Sequence, residues 1–465
     1  MRSVVAIVLV ALACGCGPKL VWTGRTLDRQ HTIDVMRDGG LDYVIVDGQR
    51  RAAYKGVAGW SIALAANHLA FAARIGSEWV VIHDGKLARD KWQAIGQLRL
   101  GDRDQLVYVA QRADGWHVVT ARGVGPRVDA VLQGTLTIAG AHVAYVAQLD
   151  GRSHVVVDDH VEPAFDGIGQ LALDADGHYV YAARRQLDAY VIANGVLGQR
   201  CDGVAQLQLG PRGHVVYVAT LGDEQHIVID GELGATVDSI RHVLFRDDGA
   251  HVAWIGRMGS LDVLALDDTP VAAWPARREA KLAFRPSSAA GEGSGLAYVM
   301  TSEHGEQVVV DATTGPLYDE VRTPVWSRDG RLAYAARRGT TWLIVADGRE
   351  LPAADSVGDP VLAGTRIAYA ARRGTSSFVV VDGQPYMFDL VFDDTVAFSA
   401  DGTRWGAVAG DRAREQLFIV IDGKRRIPVA VRELYSAAAS GAGESTLRDW
   451  TRAELDKPTT REAPR

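Results

Sequence analysis

Val44-Ile45-Val46-Asp47-Gly48 is a run of β-branched residues closed by Asp-Gly, and it returns along the chain. The copies are Val81-Ile82-His83-Asp84-Gly85, Ile227-Val228-Ile229-Asp230-Gly231, Val345-Ala346-Asp347-Gly348, Val380-Val381-Asp382-Gly383 and Val420-Ile421-Asp422-Gly423. Degenerate copies close at Gly123, Asp159, Gly195, Asp268 and Ala312. The eleven endpoints are spaced by 37, 38, 36, 36, 36, 37, 44, 36, 35 and 40 residues. Asp-Gly between β-prone runs is the strongest short hairpin signal, because a type I′ turn needs positive φ at both central residues. The stretch therefore marks a hairpin that recurs with one period.

Three more strand-like pieces accompany each copy. One is an x-Leu-x-Leu/Phe run, as in Leu171-Ala172-Leu173, followed by a turn such as Asp176-Gly177 or Asp329-Gly330. The next has an aromatic centre, giving the column Phe71, Tyr108, Tyr145, Tyr181, Tyr217, Trp254, Tyr298, Tyr334 and Tyr369. The Asp-Gly run is third. A short fourth piece reads Phe165-Asp166-Gly167-Ile168, Tyr318-Asp319-Glu320-Val321 or Phe388-Asp389-Leu390-Val391. Four short strands per ~40 residues is the arithmetic of a propeller blade. The fold class expected is all-β: a β-propeller protein of about eleven four-stranded repeats of ~37 residues.

The units resemble the WD40-like propeller repeats of TolB-type proteins, through Phe398-Ser399-Ala400-Asp401-Gly402 and Trp326-Ser327-Arg328-Asp329-Gly330 followed by Ala-Tyr. The resemblance covers about residues 18–434 and implies architecture. The Gly-His and Trp-Asp pairs of true WD40 repeats are not systematic here. Val310-Asp311-Ala312-Thr313-Thr314-Gly315 alone is similar to a quinoprotein-type blade as in BamB. Eleven units exceed the usual 4–8 of one ring. Two propellers are expected, of about six blades at 18–232 and five at 233–434, with four plus seven as the alternative. The seventh unit is irregular, with Thr269-Pro270, Trp274-Pro275 and an insertion over 287–295. A flexible tail is expected over 435–465, with a short helix from Thr446 to Lys457.

Ahead of the repeats, Met1-Arg2-Ser3 precedes a ten-residue apolar run from Val4 to Ala13. That is a secretory leader in outline, too short for the ~20 apolar residues of a membrane span. Ala11-Leu12-Ala13-Cys14-Gly15-Cys16 resembles the lipobox of bacterial lipoproteins, which implies a leader over 1–16 and lipidation of Cys16 or Cys14. Ala11 or Ala13 stands where lipoboxes usually carry Leu, so the choice between the cysteines stays open, leaning to Cys16. The expected location is the cell envelope, lipid-anchored in the outer membrane and facing the periplasm. Only Cys201 remains, so no disulfide framework is available. The net charge of −7 carries no basic footprint for nucleic acid, and 50 glycines exceed the average of about 7% and fit many turns.

Several columns bear chemistry. The fourth piece carries Asp129, Asp166, Asp202, Asp238, Asp319, Asp355 and Asp389. A catalytic carboxylate is needed once or twice, not once per blade, so these are expected to accept backbone N–H bonds or face arginines. His142, His178, His214 and His251 recur at the start of second strands, too far apart around an array to converge on a metal. No metal site and no cofactor is expected. Cys201 fills the slot of Phe165, Tyr318 and Phe388 and reads as a small buried hydrophobe. The fragment Asp174-Ala175-Asp176-Gly177 lacks the rest of a calcium loop.

Arg184-Arg185, Arg337-Arg338 and Arg372-Arg373 fall between second and third strands, with Arg74 and Arg112 in the same loop of other units. Alternate loops of a meander emerge at one end, so a basic-leaning face is expected opposite an acidic-leaning one, and the three arginine pairs are the candidate interaction residues. There is no nucleophile elbow, His-Glu-x-x-His, P-loop or paired-cysteine spacing. Propeller-bearing peptidases carry an added α/β-hydrolase domain, for which the segment after the last repeat is too short. The reading is a non-enzymatic envelope lipoprotein acting as a protein-interaction scaffold. Its expected partners are envelope proteins, with the membrane contacted through the N-terminal lipid and no nucleic acid. The alternatives are sugar or peptide binding, or hydrolase or lyase activity, at a propeller channel, or a spacing role for the array.

Overall fold

The computed structural model describes residues 18–429 except 26–31, 66–67, 102–103, 276–280, 292, 412 and 414–415, together with 448, 451–452 and 455–456. Cys14, Cys16 and residues 435–447 lie outside the described residues.

The hairpins have the geometry their sequence demands. Both central residues have positive φ at Asp47-Gly48 (51° and 76°), Asp84-Gly85 (49° and 75°), Asp230-Gly231 (50° and 86°) and Asp382-Gly383 (51° and 83°). The degenerate copies keep it without glycine, at Asp158-Asp159 (48° and 71°) and Asp311-Ala312 (44° and 69°). The twist of a type I′ turn matches that of the strands it joins, so neighbouring strands continue in register.

Among the described residues, eleven antiparallel sheets follow one another, numbered here in chain order: sheets 1 to 6 at 19–54, 63–87, 94–124, 130–161, 167–197 and 203–237, and sheets 7 to 11 at 239–275, 282–318, 320–350, 356–388 and 390–429. Each is a meander in which a strand pairs with its neighbour in the chain. In sheets 4, 9, 10 and 11 the first strand is split into two short pieces, both paired with the second. The fold is all-β and built of propeller blades. The chain divides into two compact units, residues 1–236 and 237–465.

Inner sheets are covered on both faces, so the second strand is a largely apolar run, as in sheets 3 and 4, whereas in sheet 1 the second strand, Thr32–Asp38, alternates. Successive side chains point to opposite faces, and alternate residues serve the two neighbours. In sheet 4, Val143, Tyr145 and Ala147 pack with Val107, Val109 and Val118 of sheet 3. Ala144 and Val146 pack with Tyr181 and Ala183 of sheet 5. At several joints the aromatic column shares its cluster with an alanine of the preceding sheet, Tyr108 with Ala72, Tyr181 with Ala144, Tyr334 with Ala297 and Tyr369 with Ala333, while Tyr145 and Tyr217 pack with valines. The large-against-small pairing lets the rings bury fully, each contributing roughly 2 kcal/mol of hydrophobic stabilisation.

The fourth piece differs from its expected place. Phe165 bridges Ser153 in sheet 4, whereas Gly167 already belongs to sheet 5. Tyr318 ends a strand of sheet 8 and Glu320 begins sheet 9. The piece is the crossing between sheets, and the fourth strand proper is the return after Asp-Gly, such as Val196–Leu197. A one-residue step needs no glycine or proline, so nothing in the sequence punctuates it.

Within the tail, the described residues fall where the short helix from Thr446 to Lys457 is expected. Arg448, Thr451, Arg452 and Leu455 are helical. Leu455 is buried against Ala397, Val408, Ile419 and Ile421 of sheet 11. Asp456 accepts the Ala400 N–H at 2.8 Å, and the Leu455 carbonyl accepts from Arg404 at 2.9 Å. The helix covers a face that inner sheets give to their successors. Leu455→Ala is expected to cost about 2 kcal/mol, the low end for a buried leucine, because a short peripheral helix can shift into the space. A urea midpoint within error of the parent would show that the helix does not hold the last sheet.

Candidate functional site

The recurring carboxylates fall into two classes with different jobs. The first stands at the sheet crossings. The Asp166 N–H donates to the Arg184 carbonyl of the next sheet at 2.9 Å, while its carboxylate accepts the Gln186 N–H at 2.6 Å. Asp129, Asp202, Asp238, Asp319 and Asp355 do the same, taking the N–H of Asp150, Gly222, Gly259, Gly339 and Gly374. Asp389 is engaged as well. Each of the six pins the turn between second and third strands. The Gln186 N–H, with Arg152 beside it, holds the Asp166 carboxyl below the usual carboxylate range.

The second class sits in the hairpins. One carboxylate oxygen accepts the N–H at the start of the second strand, as Asp158 does from Val143 at 3.0 Å and Asp230 from Val215 at 2.8 Å. The other oxygen takes the preceding basic side chain: His142 on Asp158, His214 on Asp230, His251 on Asp267, Arg331 on Asp347, Arg366 on Asp382 and Arg404 on Asp422. Where it is arginine, the cation also reaches the next sheet's turn, Arg331 to the Thr365 carbonyl and Arg366 to that of Thr403. Each pair is a clasp within its sheet, which the arginines extend to the next one. His142, His178, His214 and His251 are separate members of this system and do not meet. His178 pairs with Asp174 in its own turn, since its hairpin carries the neutral Asn194. That turn also spends Asp174 on the N–H groups of Asp176 and His178.

A pH dependence follows. Burial resists ionisation of Asp158, but the hydrogen bond from His142, the Val143 N–H and Arg122 outweigh it and leave the carboxyl below its ordinary value. Asp84 and Asp174 are lowered in the same way. A depressed carboxyl contributes stability above its unfolded pKa near 3.9 that is lost as pH falls through the folded value. The melting temperature is expected to hold from neutrality to about pH 4 and to fall steeply below it. A gradual decline beginning at pH 6 would show that the clasps do not dominate acid stability.

The arginine pairs lie at the turns, as their positions in the meander require, but they are not equivalent. Arg338 forms a bidentate pair with Glu350 (2.6 and 3.1 Å) over the Tyr318 ring, and Arg337 reaches Glu320 and the Gly339 carbonyl. Arg373 donates to the Ala353 carbonyl, and Arg372 reaches Ser356 at 3.4 Å. Arg112 pairs with Asp90 over Trp92, and Arg74 lies 6.0 Å from Trp79. Arg184 and Arg185 are exposed, Arg185 lying 5.2 Å over Phe165, and beside them Leu187 is 86% exposed. The crossing aspartates occupy the same turns, so the face carries mixed charge rather than the expected basic lean. Cys201 is buried, its thiol donates to the Ala189 carbonyl at 3.3 Å, and burial pushes its pKa up.

One cluster was not visible in the columns. At the junction of sheets 2 and 3, the His68 Nδ1 lies 2.7 Å from Asp84 and 3.2 Å from Asp104, and the His83 Nε2 lies 2.7 Å from Asp104. His68 opens the second strand, His83 and Asp84 lie at the hairpin, and Asp104 comes from the first turn of sheet 3. The departure that could have revealed it is a histidine directly before a hairpin aspartate. That place holds Val46, Val157, Ile229, Leu266, Val310, Val381 and Ile421 in other units.

No family model matches the chain, and no curated protein matches it. Solved structures similar to it include a eukaryotic initiation factor, at 10% identity over 70% of this chain and 95% of that one, with a TM-score of 0.35. The β-propeller domain of the trilobed protease from Pyrococcus furiosus is similar at 10% identity over 64% of this chain and 95% of that one, TM-score 0.25. TolB from Acinetobacter baumannii is similar at 17% identity over 52% of this chain and 58% of that one, TM-score 0.22.

Proposed function

We propose that the protein is a non-enzymatic envelope lipoprotein whose turn face docks other proteins. The observation that carries this reading is the division between repeated and unrepeated groups. The recurring aspartates are consumed in pinning turns and tying strands together. The side chains on the pinned turns vary more, from Gln148-Leu149-Asp150 in sheet 4 to Thr220-Leu221-Gly222 in sheet 6 and Arg257-Met258-Gly259 in sheet 7, although sheets 9 and 10 share Arg-Arg-Gly-Thr; in sheet 5 they are Arg184, Arg185 and the bare Leu187. A loop fixed in place before binding loses little entropy on association, which favours recognition. The envelope location and lipid anchor rest on the leader-like segment and the Cys14–Cys16 lipobox. Among the described residues, no helix is long and apolar enough to cross a membrane.

The test is site-specific photocrosslinking in intact cells from position 187, with position 387, where Met387 is 69% exposed on a fourth strand, as the reference site. A discrete adduct from 187, absent from 387 and lost with Arg184→Glu/Arg185→Glu, is the expected result. Identical adduct patterns from both sites, or no response to charge reversal, would overturn the reading.

A further inference from the structure

We propose that the junction of sheets 2 and 3 is a binding site for one divalent transition-metal ion of the zinc class, ligated by His68, His83, Asp84 and Asp104. One ligand atom from each residue lies within 4.8 Å of all the others. In a tetrahedral site with each ligand about 2.0–2.2 Å from the ion, donor atoms stand about 3.3–3.6 Å apart. Side-chain rotations that bring the widest pair together by about 1 Å therefore close the set. Two neutral imidazoles and two carboxylates give four N/O donors and a net charge of −2, which balances a dication. Imidazole donors select zinc-like ions over calcium or magnesium, which prefer all-oxygen cages.

The repeat separates this cluster from ordinary charge pairing. A clasp needs one basic side chain and the hairpin aspartate, and the pair His68–Asp84 already provides it, as His214–Asp230 does in sheet 6. His83 and Asp104 are surplus to that job. His83 replaces an aliphatic residue at the end of its strand, and its ring nitrogen turns to Asp104. Asp104 holds a φ of 59°, a left-handed conformation uncommon for a non-glycine residue, and aims its carboxylate at both rings. The second Asp84 oxygen accepts the Leu69 N–H at 2.9 Å, so this ligand is oriented by the backbone. An ion there would join two sheets where other junctions use an arginine.

The experiment uses the full chain freed of metal by chelator and dialysis. Zinc is titrated calorimetrically and by competition with a chromogenic chelator, and cobalt is added to read ligand-field bands. One equivalent of zinc, visible cobalt bands of a four-coordinate site and a zinc-dependent rise in melting temperature are expected. His83→Val restores the aliphatic residue of the repeat and keeps the clasp. It is expected to weaken binding by more than the about 10–100-fold that follows loss of an outer-shell partner, and to abolish the cobalt bands. Asp104→Asn should do likewise, and His214→Asn in an ordinary clasp should change nothing. Absence of stoichiometric binding, or binding that His83→Val and Asp104→Asn leave intact, would overturn the proposal.

Discussion

Gly305→Ala is expected to destabilise the protein by about 3 kcal/mol or more, far beyond an average glycine substitution. Gly305 opens the third strand of sheet 8 at φ 137°, a region closed to side chains. A Cβ there would lie 2.2 Å from the carbonyl oxygen of Tyr318, which is backbone and cannot rotate away. Tyr318 is the last residue of its sheet, and its buried ring stacks edge-on to Tyr334 in the next. Relieving the clash therefore moves a core residue shared by two sheets. Gly115 repeats the arrangement in sheet 3, with φ 149° and a Cβ position 2.8 Å from the Val128 carbonyl. The comparison is Gly48→Ala, where φ is 76° and nothing lies within 4 Å, so only the intrinsic penalty of roughly 1 kcal/mol applies. Urea unfolding of both variants checks the ordering. Equal midpoints would mean that strand entry, not the clash, sets the cost.

Asp262→Ala is expected to cost about 3 kcal/mol. The Asp262 carboxylate is 2% exposed and accepts from Arg241 at 2.9 and 3.1 Å and from Arg257 at 3.0 Å. Removing it leaves two guanidinium groups facing each other without a counter-ion, and breaking a buried pair typically costs 3–5 kcal/mol. The lower figure applies because the arginines are 40% and 34% exposed and water screens them. Trp79, Trp116 and Trp342 hold the corresponding place in other sheets, so an apolar solution exists within the same protein. Asp262→Leu combined with Arg241→Met and Arg257→Met is therefore expected to recover most of the loss. A single variant that loses less than about 1 kcal/mol, or a triple variant no better than it, would show that the network is not the source of the stability.

Some elements could be read from residues alone because their cause is local. Positive φ at Asp-Gly is a property of two adjacent residues, and the Phe71-to-Tyr369 column follows from strand period and burial. The crossing aspartates were legible as structural from their repetition, though not the turn N–H that each accepts. Other features depend on what a fold brings together. His83 and Asp104 are 21 residues apart and meet only because one sheet's hairpin abuts the next sheet's first turn. The one-residue crossings carry no punctuation. The docking of Leu455 depends on a surface 34 or more residues earlier in the chain, and the charged, alanine-rich composition around it reads locally as solvated.

The helix over the last sheet bears on how such a chain changes length. Its contacts to Arg404 and Ala400 stand where a twelfth unit's turn would otherwise be, but the helix is not itself a unit. A duplication or deletion of whole units in the interior therefore inherits a finished end unaltered. The terminator and the repeated module are separately heritable, and the array can be lengthened or shortened by unequal recombination without a new solution for its final surface.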